Sequence, residues 1–86
     1  MDDIQSLYRA VGAKIRAARE NSAEKISQNK LSKRLDISRA SIVNIEAGRI
    51  EPHPPTVRKL AKALDVEPRV LVRHLRGAGQ EEKLAA

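Results

Sequence analysis

Two short helical patterns separated by one tight break lie within residues 27–48 of this 86-residue chain. The first pattern places Leu31 and Leu35 on one helical face, and Ser27 precedes it as an N-cap that would satisfy free amide groups of the first turn. The pattern breaks at Asp36, a residue type that adopts left-handed backbone more readily than most others. We therefore expect a short helix followed at once by a sharp turn.

A second short helix is predicted directly after the break. Ile37 resumes apolar character, and Ser38 provides a second N-cap. Ile42 and Ile45 are spaced to face the core, and Gly48 is placed to end the helix. Two short helices joined by one tight turn form a helix-turn-helix, in which the second helix lies in the major groove of duplex DNA.

The outer side of the second helix suits the edges of base pairs. Arg39 can hold a guanine through two hydrogen bonds, and Asn44 can pair with an adenine edge. Ala40 and Val43 are suited to the methyl group of thymine. We expect these four side chains to contact bases, although they do not specify a base sequence.

The residues that define these helices also occur together in a known family. Within the motif they are Gln28, Leu31, Ile37, Ser38, Ile42, Ile45, Glu46, Gly48 and Arg49, and outside it they are the segments 13–16 and 60–64 with Arg19 and Val66. This combination resembles the lambda-repressor-like (Cro/phage-repressor, XRE) helix-turn-helix family over residues 11–75. The resemblance implies an all-α, compact five-helix DNA-binding domain.

The resemblance also implies roles for individual residues. Gln28 would bind a phosphate and support the recognition helix, while Arg39, Ala40 and Asn44 would face bases. Arg19 and Glu46 match a pair that forms an internal ion pair in some members, which makes Glu46 structural and not catalytic.

Further positions are expected to meet the DNA backbone. Ser27, Ser38 and Arg49 match family positions that commonly do so, and a backbone contact is also expected of Ser41. Helix N-termini and guanidinium groups are suitable partners for phosphate.

The chain departs from the family pattern at three places. Ser32 stands where alanine is usual, and Asp36 replaces the usual turn glycine. The segment 20–26 is about two residues longer than typical. This longer segment bears on how Ser27 would meet the DNA backbone.

Composition narrows the class of partner. The chain has 17 Lys and Arg against 11 Asp and Glu, a net charge of +6 that favours an anionic partner. Only 1% of the residues are aromatic, which disfavours single-stranded nucleic acid because such partners are usually held by stacking on rings.

The chain has no cysteine, so disulfides and zinc fingers are excluded. The acidic start and the lack of a long apolar run predict a cytosolic protein, and the family resemblance implies the cytosol or nucleoid of a prokaryote.

No enzymatic site is predicted. Ser38 and Ser41 have no general base and orienting group beside them in the sequence, and capping accounts for Ser38. His53 and His74 have no partner at metal-ligand spacing, so we expect neither a metal nor a cofactor.

The remaining helices follow from spacing and prolines. A first helix is predicted over residues 3–21, Pro55 can serve in the first turn of a fourth, and Pro68 opens a fifth. The apolar cluster of the fifth helix is wider than one core-facing stripe needs. Val70, Leu71 and Val72 are therefore candidates for contact with a second copy, and closure of the domain's own core explains them equally well.

The predicted organisation is one domain over residues 1–82, followed by a tail at 83–86 that resembles vector-derived residues. The predicted function is a sequence-specific repressor that acts as a homodimer on duplex DNA with two-fold symmetry. An alternative is an antitoxin that binds a toxin protein and regulates its own promoter. A third is a basic domain that coats DNA without sequence preference.

Overall fold

The computed structural model describes residues 4–72, which form helices and no strand. The first four helices are α1 (Ile4–Glu20), α2 (Gln28–Leu35), α3 (Arg39–Glu46) and α4 (Pro54–Leu64). A fifth helix, α5, begins at residue 68 and is helical through residue 72. The predicted all-helical, five-helix fold is confirmed. The tail predicted at 83–86 lies outside the described residues.

The two predicted serine caps begin α2 and α3. The Ser27 hydroxyl oxygen accepts the Lys30 amide at 3.1 Å, and the Ser38 oxygen accepts the Ser41 amide at 3.0 Å. Each cap satisfies an amide that has no partner inside its helix. Both helix starts therefore agree with the prediction from sequence.

The turn between these helices depends on left-handed backbone at Asp36. Its φ of 56° and ψ of 45° are those of a left-handed residue at the end of α2. The next amide, that of Ile37, donates a hydrogen bond to the Ser32 carbonyl at a distance of 3.0 Å. The predicted tight turn is confirmed, with aspartate where the family commonly has glycine.

The helices enclose a single apolar core. α2 packs against α3 and α4, and α1 also packs against α3 and α4. The buried apolar side chains of the described residues are Val11, Ile15, Ile26, Leu31, Leu35, Ile42, Ile45, Val57, Leu60, Ala61, Leu64, Leu71 and Val72. Ser32 is also buried, and its hydroxyl donates 2.7 Å to the Asn29 carbonyl, so this departure from alanine leaves no polar group unpaired.

The start of α5 closes the core from one side. Leu71 is 1% exposed and Val72 is 8% exposed, whereas Val70 is only partly buried. The core-closing interpretation therefore accounts for Leu71 and Val72, which pack inside their own chain. Of the three predicted dimer candidates, Val70 retains the most free surface.

Two glycines allow α1 to approach the end of α3 closely. A Cβ atom at Gly12 would meet the carbonyl oxygen of Ile45 and would lie 2.5 Å from that of Glu46. Gly48 has a φ of 77°, and a Cβ atom there would lie 2.5 Å from the Arg9 Cα. No side chain fits at either position, so backbone contact holds the end of α3 against α1.

Replacement of Gly12 by alanine tests this close approach. In an ordinary helix interior Gly→Ala is stabilising by about 0.5 to 1 kcal/mol. Here the added methyl group meets backbone that can yield only if α3 shifts, so we expect Gly12→Ala to lower the free energy of unfolding by about 1 to 3 kcal/mol. Urea denaturation measures it, with Ala17→Gly at an exposed position of α1 as a control for helix propensity. A gain in stability for Gly12→Ala would show that the helices are not in backbone contact.

Candidate nucleic-acid interface

α3 divides its side chains between the core and a free outer side. Ile42 and Ile45 are buried, and they anchor the helix to α1 and α2. On the other side Arg39 and Ala40 are exposed, while Val43 and Asn44 are partly buried. We call these last four residues the outer strip. The strip carries one charge, one amide and two small apolar groups, a combination that can contact the donors, acceptors and methyl groups of base pairs.

A buried ion pair attaches the end of α3 to α1. The Arg19 guanidinium donates to the Glu46 carboxylate twice, from Nε at 2.7 Å and from Nη2 at 3.0 Å. The two side chains are 11% and 4% exposed. The hydrogen bonds with Glu46 raise the pKa of Arg19 above its usual value although partial burial opposes this effect. Arg19 therefore remains charged, and two parallel hydrogen bonds hold Glu46 in one orientation.

Gln28 brings α2 into the same cluster. Its Nε2 donates 3.0 Å to Oε1 of Glu46, so one carboxylate accepts hydrogen bonds from both α1 and α2. Arg19 also donates 3.1 Å from Nη1 to the Ile26 carbonyl, in the loop that leads into α2. We call Arg19, Gln28 and Glu46 the carboxylate cluster. It sets the positions of three helices relative to one another, which gives Glu46 a structural role.

The residues predicted to meet the DNA backbone lie at helix ends. Ser27 and Gln28 are at the start of α2, whereas Ser38 and Ser41 are in the first turn of α3. The Ser38 and Ser41 hydroxyl oxygens are 2.9 Å apart and share a hydrogen bond. Amide groups at helix N-termini carry partial positive charge, so both ends suit a phosphate.

Arg49 and Asn44 are joined, although they were predicted for different tasks. Nη1 of Arg49 donates 3.1 Å to Oδ1 of Asn44, and the Arg49 amide donates 3.0 Å to the Asn44 carbonyl. Left-handed Gly48 reverses the chain so that Arg49 returns to the last turn of α3. A predicted backbone-contacting residue therefore touches a predicted base-contacting residue.

Sequence reasoning missed several contacts within the described residues. Arg34 forms two hydrogen bonds with Glu24, at 2.8 and 2.7 Å, and they lower the pKa of Glu24. The Tyr8 hydroxyl donates 3.2 Å to Glu51, which links α1 to the loop after α3. The close approach at Gly12 could have been anticipated from the sequence. A glycine inside a helical pattern lowers helix stability, so its presence there usually has a packing reason.

None of the described helices is long and apolar enough to cross a membrane. Residues 4–72 also contain no cluster of three or more His, Cys, Asp or Glu side chains placed to hold a metal ion.

Two comparisons with known proteins find matches. The family model described as helix-turn-helix matches residues 15–71. Among solved structures, the restriction-modification controller protein C.AhdI from Aeromonas hydrophila is similar, with a TM-score of 0.67 and 31% sequence identity over 74% of this chain and 94% of that chain. No curated protein is significantly similar to this chain.

The energetic weight of the carboxylate cluster can be measured by a double-mutant cycle. Arg19→Met or Glu46→Leu alone leaves one buried charge unpaired, and we expect each to lower the free energy of unfolding by about 3 to 5 kcal/mol. The double variant buries no charge, so it should lose clearly less than the sum of the two. The exposed pair of Arg16 and Glu20, 3.3 Å apart, is the matched control and should show little coupling. Additive losses for Arg19 and Glu46 would rule out a coupled pair.

Proposed function

We propose that this chain, a DNA-binding transcriptional regulator of the helix-turn-helix family, is a repressor that acts as a dimer on a two-fold symmetric operator. Its membership of the family confirms the resemblance seen in the sequence. The observation that carries this proposal is the outer strip of α3, which is free on its outer side while the helix is anchored on its inner side and at its end. Similarity to a protein named as a controller supports a regulatory role.

Affinity for DNA would come mainly from the phosphate backbone. The net charge of +6 favours accumulation on any duplex, and each phosphate contact releases counterions. Contacts from Ser27, Gln28, Ser38, Ser41 and Arg49 would set the register of the protein on the duplex. Such contacts carry no sequence information directly, so they position α3 without selecting a site.

Selectivity would come from the outer strip. Arg39 is exposed in the first turn of α3, where recognition helices commonly contact base edges, and its guanidinium can hold a guanine through two hydrogen bonds. Ala40 and Val43 present small apolar groups to thymine methyls. Bound at a promoter in the prokaryotic cytosol or nucleoid, the protein would repress by occupying the site.

Pairing of two chains would supply the rest of the selectivity. α3 has eight residues and is about 12 Å long, so a single copy can contact only a few base pairs. Two copies related by a two-fold axis would place their α3 helices about 34 Å apart, one turn of the double helix. The partly exposed Val70 supports α5 as part of the contact between copies, with Leu71 and Val72 supporting α5 from inside the core.

Arg39→Ala tests direct base readout. We expect a loss of about 1 to 3 kcal/mol of binding free energy on the preferred duplex and a relaxed preference at one base position. Arg16→Ala is the matched control, because it removes the same charge from the exposed side of α1. Fluorescence anisotropy at fixed salt concentration measures the binding free energy of each variant on the preferred duplex and on a scrambled duplex. Equal losses of Arg39→Ala on the two duplexes would refute base readout by this residue.

Selection of bound duplexes from a random pool tests the dimeric repressor. We expect a two-fold symmetric consensus whose halves are about one helical turn apart. Sedimentation of the complex should give two chains per duplex. Enrichment without symmetry would contradict pairing, and no enrichment at all would instead favour a protein that coats DNA without selecting a sequence.

A further inference from the structure

We propose that Arg34 is a positioning residue for DNA binding, because it keeps the Glu24 carboxylate away from the start of α2. This inference rests on the proposed function, in which Ser27 and Gln28 at that start contact the DNA backbone. A carboxylate free to move there would compete with DNA phosphate for the same positive charge.

Glu24 is bound at the last turn of α2. Nη1 of Arg34 donates 2.8 Å to Oε1 of Glu24, and Nη2 donates 2.7 Å to Oε2. Two parallel hydrogen bonds from one guanidinium form a strong and directional contact with a carboxylate. Arg34 therefore balances the charge of Glu24 and holds it at the C-terminal end of the helix.

A second cation lies on the same side of α2, closer to its start. Lys30 is four residues before Arg34, so the two side chains share one helical face and Lys30 is about 6 Å nearer to the start. The hydrogen bonds from Arg34 lower the pKa of Glu24, and the charge of Lys30 lowers it further, so Lys30 is near enough to attract this carboxylate. Lys30 is nevertheless exposed and forms no ion pair within residues 4–72. Its ammonium group is therefore available to a phosphate.

The helix itself also attracts a carboxylate to its start. The amide groups there carry partial positive charge, whereas the carbonyl groups beside Arg34 carry partial negative charge. Ser27 accepts the Lys30 amide at 3.1 Å, but the two amides before it have no partner inside the helix. Glu24 is three residues before Ser27, so the two Cα atoms are within about 11 Å of each other. Without Arg34, Glu24 can therefore approach the start of α2.

Other contacts hold the segment that carries Glu24. The Ser22 hydroxyl donates 2.7 Å to the Arg19 carbonyl and accepts the Ile26 amide at 3.2 Å. Arg19 donates 3.1 Å to the Ile26 carbonyl, and Ile26 is buried in the core. The Glu24 and Arg34 side chains are 55% and 42% exposed, and exposed pairs contribute little to stability. An effect of Arg34 on DNA binding can therefore be measured without unfolding the domain.

Fluorescence anisotropy on a duplex of random sequence, at several salt concentrations, tests the proposal. Arg34→Met should raise the Kd about threefold to tenfold and reduce the slope of log affinity against log salt by about 0.9, because Glu24 then takes the place of one phosphate contact. Glu24→Gln breaks the same pair but leaves no carboxylate, so its Kd should be equal to or lower than that of wild type. The double variant should return to within about twofold of wild type.

Arg16→Met is the matched control. It removes one positive charge from an exposed ion pair on α1, so it should weaken binding less than Arg34→Met does. Circular dichroism checks that each variant is folded. Unchanged binding by Arg34→Met, or a loss no larger than that of Arg16→Met, would overturn the inference, since net charge alone would then account for the result.

Two further outcomes would also contradict the inference. Weaker binding by Glu24→Gln would mean that the pair acts by holding the segment in place, and a double variant as weak as Arg34→Met would mean that Arg34 contacts phosphate itself. Both results would leave the proposed function intact. Wild type that does not bind the duplex at any salt concentration would overturn the proposed function and this inference together.

Discussion

The carboxylate of Glu46 is the point on which the arrangement of this domain depends. It accepts hydrogen bonds from Arg19 of α1 and Gln28 of α2 while it belongs to α3 itself. A buried carboxylate without such partners would be strongly destabilising, so the three helices are stable together only in the orientation that satisfies it. Apolar packing among the same helices stabilises the domain, but it is less directional. The cluster therefore determines where α3 points.

The position of α3 matters because a helix of eight residues is not stable alone. Ile42 and Ile45 attach its inner side, Ser38 caps its start, and the close approach of Gly12 holds its end against α1. These attachments lie on the inner side or at an end. Asn44 contacts Arg49, and the rest of the outer strip is left for a ligand. The structure thus separates the residues that hold α3 from those that we propose to contact DNA.

Much of this architecture was predictable from sequence because its causes are local. Ser27 and Ser38 cap their helices through amides three residues away, and Asp36 forms the turn through its own backbone angles. The pair of Arg19 and Glu46, 27 residues apart, was available only through family resemblance. Helical spacing indicated that Leu71 and Val72 were buried. It did not indicate whether their own domain or a second copy buries them, because that depends on tertiary packing. The hydrogen bond between Arg49 and Asn44 could not be predicted from sequence, because residue types alone do not show which partner a side chain takes.

The most direct measurement of the central claim is methylation protection on a duplex to which the protein is bound. Dimethyl sulfate modifies guanine at N7 in the major groove and adenine at N3 in the minor groove, so it distinguishes the two faces of the DNA. With α3 held as the carboxylate cluster requires, the account predicts protection of guanine N7 in each half-site and continued reactivity of adenine N3 at the same steps. Protection confined to adenine N3, with guanine N7 fully reactive, would contradict it.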